Sequence, residues 1–131
     1  MNKVTATITE IQSIDTINIV SFDAVGQPMR MMALELNEAL VVGSKVTLGA
    51  KATNIALSKE RVETISISNQ LAVTIERLNM GSLLCSVIFA FEGQTWESVI
   101  TRESALKMEL EVGSKAVALI KSSELSIVEI L

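Results

Sequence analysis

Apolar and polar residues alternate with a period of two along most of this chain, the spacing of strands that bury one face. Val4, Ala6 and Ile8 alternate with Thr5, Thr7 and Thr9, so residues 3 to 12 read as a long strand rich in β-branched side chains. Asp15-Thr16 supplies a turn, Ile17 to Phe22 the next strand, and Asp23 to Pro28 a hairpin in which Gly26 is available for a positive φ. Met29 to Leu36 reads as the third strand, with Pro28 at its edge, where a missing N–H costs least. Asn37 to Leu40 reads either as one helical turn capped by Asn37 or as a polar connection, and Lys45 to Ala50 and Ile55 to Leu57 complete the unit.

The same order then repeats. Asn69 to Leu78, Leu83 to Phe91 and Thr95 to Thr101 read as strands, with Glu92-Gly93-Gln94 as the hairpin turn. Arg102 to Leu110 contains a short helix, and Lys115 to Lys121 and Leu125 to Ile130 are the closing strands. Asn2, Ile8, Phe22, Gly26 and Gln27 stand 67 residues before Asn69, Ile75, Phe89, Gly93 and Gln94, while Gly43-Ser44-Lys45 and Lys51 stand 70 before Gly113-Ser114-Lys115 and Lys121. The chain is therefore a tandem duplication whose second copy carries three extra residues between Ile100 and Gly113, about one helical turn. Lys59-Glu60-Arg61 marks the boundary and gives units 1–60 and 61–131. That junction has no Pro- or Gly-rich linker, so the units are expected to pack together. Five strands with a helix between the third and fourth predict an all-β fold of two tandem five-stranded barrels of the oligonucleotide/oligosaccharide-binding (OB) type, each with at most one short helix and each closing on itself.

Composition narrows the chemistry. Hydrophobic residues make up 49% of the 131, and the mean hydropathy is +0.45, yet no stretch of 18 residues is free of charge or strong polarity. No membrane-spanning helix is expected, nor a secretory signal, since the first residues alternate. The surplus apolar surface predicts burial against other copies of the chain. A single Cys85 and no His exclude an internal disulfide, His-based triads and His-liganded zinc, and fit a reducing compartment. Cys85 and the Met29, Met31, Met32 group read as packing residues. A net charge of −4 and 3% aromatic residues argue against nucleic-acid and anionic-membrane surfaces and against base-stacking platforms. Catalysis has no candidate beyond isolated carboxylates such as Glu103, Glu109 and Glu111, which read as a charged helix face, so no enzyme activity is expected.

The closing strand of the second copy breaks at Lys121-Ser122-Ser123, three consecutive donor-bearing side chains, and the first copy breaks at Lys51-Ala52-Thr53. An ammonium and hydroxyls delivered at a strand end are what a tetrahedral anion requires, because its oxygens accept hydrogen bonds. Lys-Ser-Ser in isolation reads equally as a solvated turn, and Ser66 and Ser68, alternating with Ile65 and Ile67, as a polar strand face.

Ser66-Ile67-Ser68-Asn69-Gln70, Glu92-Gly93-Gln94, Val99-Ile100-Thr101-Arg102-Glu103-Ser104, Leu110 to Lys115 and Ile120 to Leu125 together span nearly the whole second copy. In these segments it resembles the molybdenum–pterin-binding-protein (Mop) domain, also called the TOBE domain. The first copy looks like a diverged second one, a tandem arrangement similar to free-standing molybdate-binding proteins and to the effector half of molybdate-dependent regulators. The resemblance implies cytoplasmic binding of molybdate or tungstate at interfaces of a symmetric homo-oligomer, commonly a trimer of di-domains. Carried over from the family's Ser-x-Arg-Asn and Lys-x-Ser motifs, it implies Ser66, Lys121, Ser122 and Ser123 as anion ligands, with Ser68 standing where the Arg is expected. Thr101, Ser104 and Lys107 are implied by the Ile-Thr-x-x-Ser segment, and Lys51 and Thr53 by the end motif of the first copy. The first copy begins at Met1-Asn2 and so shows no Ser-x-Arg stretch.

These residues predict an oxyanion store or buffer with no other cofactor. The alternative is a regulatory or interaction module, a sensor half or transporter accessory, whose anion sites have degenerated. An oligonucleotide-binding barrel is disfavoured by charge and aromatic content.

Overall fold

A computed structural model describes residues 2–131. The first unit contributes β1 (Asn2–Ile14), β2 (Ile17–Ala24), β3 (Gln27–Ala33), β4 (Lys45–Ala50) and β5 (Ala56–Ser58), with a single 3-10 turn, Ala52–Asn54, between the last two. The second contributes β6 (Asn69–Met80), β7 (Leu84–Phe91), β8 (Gln94–Thr101), the helix α1 (Arg102–Lys107), β9 (Lys115–Ile120), a 3-10 turn at Ser122–Glu124 and β10 (Ser126–Ile130). Inward residues follow the alternation: Val4, Ala6 and Ile8 on β1 and Leu71, Val73 and Ile75 on β6 are buried, as are Phe22, Phe89, Val46 and Ile120. Both long strands slip register at the same place, after Ile8 and after Ile75, where one extra residue forms a β-bulge and sharpens the coil of the sheet.

The two curled five-stranded sheets are OB-like, and they exchange their last strands. One runs β10-β4-β1-β2-β3 and the other β5-β9-β6-β7-β8, so the fifth strand of each unit pairs with the fourth strand of the other. Sequence periodicity gave each unit its own closing strand; the structure corrects this. At Lys51 and Lys121 the backbone is extended and leads into a 3-10 turn, which carries the chain away from its own sheet where a tight hairpin would have turned it back. The expected full closure of each barrel is also modified. Among the described residues, no ladder joins β3 to β10 or β8 to β5; instead, the 3-10 turn at Ser122–Glu124 packs on β3 and the one at Ala52–Asn54 on β8.

A reciprocal pair of asparagines fastens the units together. Asn69 accepts from the Arg30 N–H at 2.7 Å and donates to the Arg30 carbonyl at 2.8 Å and to the Ile120 carbonyl at 3.0 Å. Asn2, its repeat mate, accepts from the Glu97 N–H and donates to the Glu97 carbonyl, both at 2.8 Å. Each side chain thus supplies one rung of ladder to the edge strand of the other unit, which satisfies backbone groups that would otherwise lose water unpaired. Trp96 adds to the seam. It is buried, its indole N–H donates to the Lys3 carbonyl at 3.1 Å, and its ring meets Phe91 edge-on at 5.0 Å.

Three local expectations resolve as follows. Asn37 to Leu40 forms a turn, not a helix: the Leu40 N–H reaches the Asn37 carbonyl and Asn37 Oδ1 accepts from Ala39. The three extra residues of the second copy let α1 form in the equivalent connection, with Thr101 capping it by accepting from the Ser104 N–H. Cys85 is a free thiol, fully buried on β7, and burial pushes it above the ordinary thiol range, with Arg102 pulling weakly the other way. It is therefore a packing residue and a poor nucleophile.

The hairpins at Val25-Gly26 and Glu92-Gly93 have two-residue loops in which both residues take positive φ, 45° and 88° in the first. A β-branched residue is strained there, and an Asn is not. Replacing Val25 with Asn is expected to stabilise the chain by about 0.5–1 kcal/mol, read as a rise in Tm on thermal melting.

Candidate functional site

Strand exchange places each closing turn against the opposite unit, and this builds the grooves. The largest concentration of predicted ligands lies in a groove of about 500 Å³ lined by Thr53, Asn54, Ile67, Thr101, Ser104, Lys121 and Glu124, with Ile100 and Leu119 forming its apolar floor. Thr53 comes from the first unit's 3-10 turn, Thr101 and Ser104 from the junction of β8 and α1, and Lys121 from the end of β9. The capping geometry fixes which protons are free. Thr101 Oγ1 donates to Ser104 Oγ at 2.9 Å while accepting from the Ser104 N–H at 3.1 Å, so the Ser104 hydroxyl proton is left to reach outward. Lys121 makes no ion pair; among the described residues the one salt bridge is the exposed Arg61–Glu63 contact at 3.0 Å. An unpaired ammonium, three hydroxyls and an apolar floor are the ingredients of an anion pocket.

A smaller pocket of about 170 Å³ lies on the other side of the closing turns and is lined by Lys51, Asn54, Ser123, Glu124 and Ser126. Asn54 and Glu124 stand 70 residues apart, at equivalent places in the two repeats, and Asn54 Nδ2 donates to Glu124 Oε2 at 2.8 Å. This pair is the shared wall of both pockets. Neither residue was anticipated from sequence. Glu124 puts a carboxylate, an acceptor of the same sign as the ligand, beside both lysines.

The remaining predicted ligands are dispersed. Ser68 lines a third pocket, with Arg30, Thr9 and Ser21. Ser66 is exposed ahead of β6, Lys107 is exposed at the end of α1, and Ser122 is half-buried in the second 3-10 turn; none of them lines the pockets described. The repeat mate of the Lys121 groove, about 550 Å³ between β3 and β10, has lost the anion chemistry. Leu34 stands where Thr101 does, 67 residues on, and the lining includes Met31, Met32, Leu36, Glu35 and Glu129 but no cation. Among the described residues no three His, Cys, Asp or Glu side chains gather as a metal site, and no helix is long and apolar enough to cross a membrane.

Two exchanged OB-like sheets with a donor-lined groove at the end of a closing strand define a small tandem β-barrel of the ligand-binding kind. Residues 65–127 match the family model of the TOBE domain, and through this second unit the chain belongs to the TOBE-domain family. Among solved structures, the cytoplasmic molybdate-binding protein ModG, in a form with molybdate bound, superposes with a TM-score of 0.92 at 22% identity, over 99% of this chain and 96% of that one. A molybdate-binding protein from Sporomusa ovata matches at 26% identity with a TM-score of 0.49, over 50% of this chain and 98% of its own. No curated protein sequence matches the chain. The tandem fold expected from the repeat is thus the fold of ModG over nearly its whole length.

Proposed function

We propose that this chain binds a tetrahedral oxyanion, molybdate or tungstate, in the groove formed by Thr53, Thr101, Ser104 and Lys121, and that it serves as a cytoplasmic store or buffer of that anion without catalysing a reaction. The observation that carries this reading is the convergence of one unpaired ammonium and three hydroxyls from both repeats on one partly apolar groove. Its support from outside the chain is that ModG, which shares the fold, binds molybdate. Units 1–60 and 61–131 would then act as one ligand-binding body, since the groove draws on both.

The same reading includes a homo-oligomer, with a trimer of chains as the expected form. A groove open on one side leaves a dianion half-hydrated, and apolar residues border it: Leu83, Leu84 and Leu106 are exposed and line a hollow of about 510 Å³ that shares Thr101 with the anion groove. Light scattering after gel filtration reads the chain number directly, and a monomer at micromolar concentration would remove this part.

Differential scanning fluorimetry tests the binding. Molybdate or tungstate at about a hundred times its dissociation constant stabilises the folded chain by about 2.7 kcal/mol, whereas sulfate at the same concentration leaves the melting temperature near that of the free protein. Equal shifts from all three anions would count against a dedicated site. Glu124 supplies a second test. Its carboxylate opposes a dianion across the shared wall, so Glu124→Gln, which keeps an acceptor for Asn54, is expected to tighten molybdate binding about fivefold at low salt and less at high salt.

A further inference from the structure

The pocket that contains Ser68 differs from both lysine pockets in having a cation and no carboxylate. It measures about 210 Å³, with Thr9, Ser21, Arg30 and Ser68 around an apolar base of Phe22 and Met29. At about 30 Å³ per water in the liquid, that is room for a five-atom oxyanion and some of its hydration. Four features of the chain bring these groups together. Ser21 and Arg30 are direct partners across β2 and β3. Thr9 is the extra residue of the β1 bulge, between the Ile8–Phe22 and Glu10–Ser21 pairs, which re-aims a side chain that regular pleating would place elsewhere. Ser68 is held in place by its neighbour, because the two Asn69 hydrogen bonds to the Arg30 backbone pin the start of β6 against β3. The Arg30 guanidinium itself has no side-chain hydrogen bond or ion pair among the described residues, so all five of its donors are free.

We propose that this pocket is a second oxyanion site, independent of the Lys121 groove, in which Arg30 holds two oxygens of a tetrahedral anion through its planar fork and the Thr9, Ser21 and Ser68 hydroxyls donate to the others. The arginine that the sequence lacks at position 68 is thereby supplied from the other unit. A guanidinium suits this role better than an ammonium, because its donors are fixed in a plane that matches a pair of anion oxygens. The repeat mate of the pocket shows that the chemistry is particular to this side. At a spacing of 67, Thr9 becomes Glu76, Ser21 becomes Ile88 and Arg30 becomes Glu97, whose carboxylate is engaged by the Ser86 hydroxyl. One such site per chain follows.

Calorimetric titration of the full chain with tungstate tests this with four proteins: the wild type, Arg30→Met, Lys121→Met and the double variant. The expected result is that Arg30→Met removes one set of sites and leaves the other, Lys121→Met does the converse, and the double variant shows no heat of binding. Arg30→Lys is expected to keep the site at roughly tenfold weaker affinity, since it retains charge and loses the fork. Folding is not at issue in these variants, because the Asn69 contacts are to the Arg30 backbone, and an unchanged melting temperature confirms it. Ser68→Ala should weaken the same set of sites. If the Arg30→Met and Ser68→Ala isotherms both superimpose on that of the wild type, the second site does not exist. If Arg30→Met loses a set of sites and Lys121→Met changes nothing, the second site stands and the proposed groove falls.

Discussion

Lys121→Met is expected to weaken molybdate binding in the groove by about thirty- to a hundredfold, the factor that follows from losing one hydrogen bond to a fully charged partner, about 2–3 kcal/mol. The size of this effect rests on what the ammonium has nearby. Lys121 is exposed and lacks a carboxylate partner within salt-bridge distance, so none of its charge is neutralised before the ligand arrives. The hydroxyls of Thr53, Thr101 and Ser104 orient the anion, and a net repulsive Glu124 is left behind once the lysine is gone. The fold should not notice the change, because an exposed side chain without partners contributes within about 0.5 kcal/mol. Equilibrium dialysis of molybdate against the variant, beside a thermal melt, separates the two readouts. Lys107→Met is the matched control: Lys107 ends α1 and lines none of the pockets, so its removal is expected to leave the affinity within about twofold, the residue of screened long-range charge.

The second large effect falls on stability. Asn69→Ala is expected to cost about 3 kcal/mol, because it strands an N–H and two carbonyls that have no other partner at the seam. Asn69 is 1% exposed and makes three hydrogen bonds, two to Arg30 and one to Ile120, so water cannot replace the lost amide without opening the joint between the units. Its repeat mate Asn2 is 9% exposed and makes two, and Asn2→Ala should cost about half as much. Urea denaturation gives both values from the midpoint and slope. The comparison is informative because the two residues do the same job in opposite directions, and a cost for Asn69 no greater than for Asn2 would show that burial at the seam is not what makes it matter.

Much of this was legible in the chain itself, for physical reasons that also explain the remainder. Alternation gives strands directly, since a half-buried strand has no other way to satisfy both faces, and the spacings of 67 and 70 reappear in the register pairs, the two bulges and the two 3-10 turns. Periodicity carries no information about which strand a given edge will join, and so the exchange of β5 and β10 was not foreseen. The bulge did leave a mark: inward positions run Val4, Ala6, Ile8 and then Ile11, a break in the period of two that recurs as Leu71, Val73, Ile75 and Leu78. That break is the signal that would have singled out Thr9. Arg30 was invisible because it is one of several charged residues on the outer face of a strand, and only the Asn69 contact brings Ser68 beside it. Glu124 and Asn54 were likewise hidden, since they become neighbours only when the closing turns cross between units.

The central claim is that the Lys121 groove receives a tetrahedral dianion, and anomalous scattering from a tungstate-soaked crystal tests it most directly. A peak within hydrogen-bonding distance of the Lys121 ammonium and the Ser104 hydroxyl, lost in Lys121→Met crystals, is the predicted result. A groove with no peak at saturating tungstate, in a lattice that leaves it open to solvent, would contradict the account.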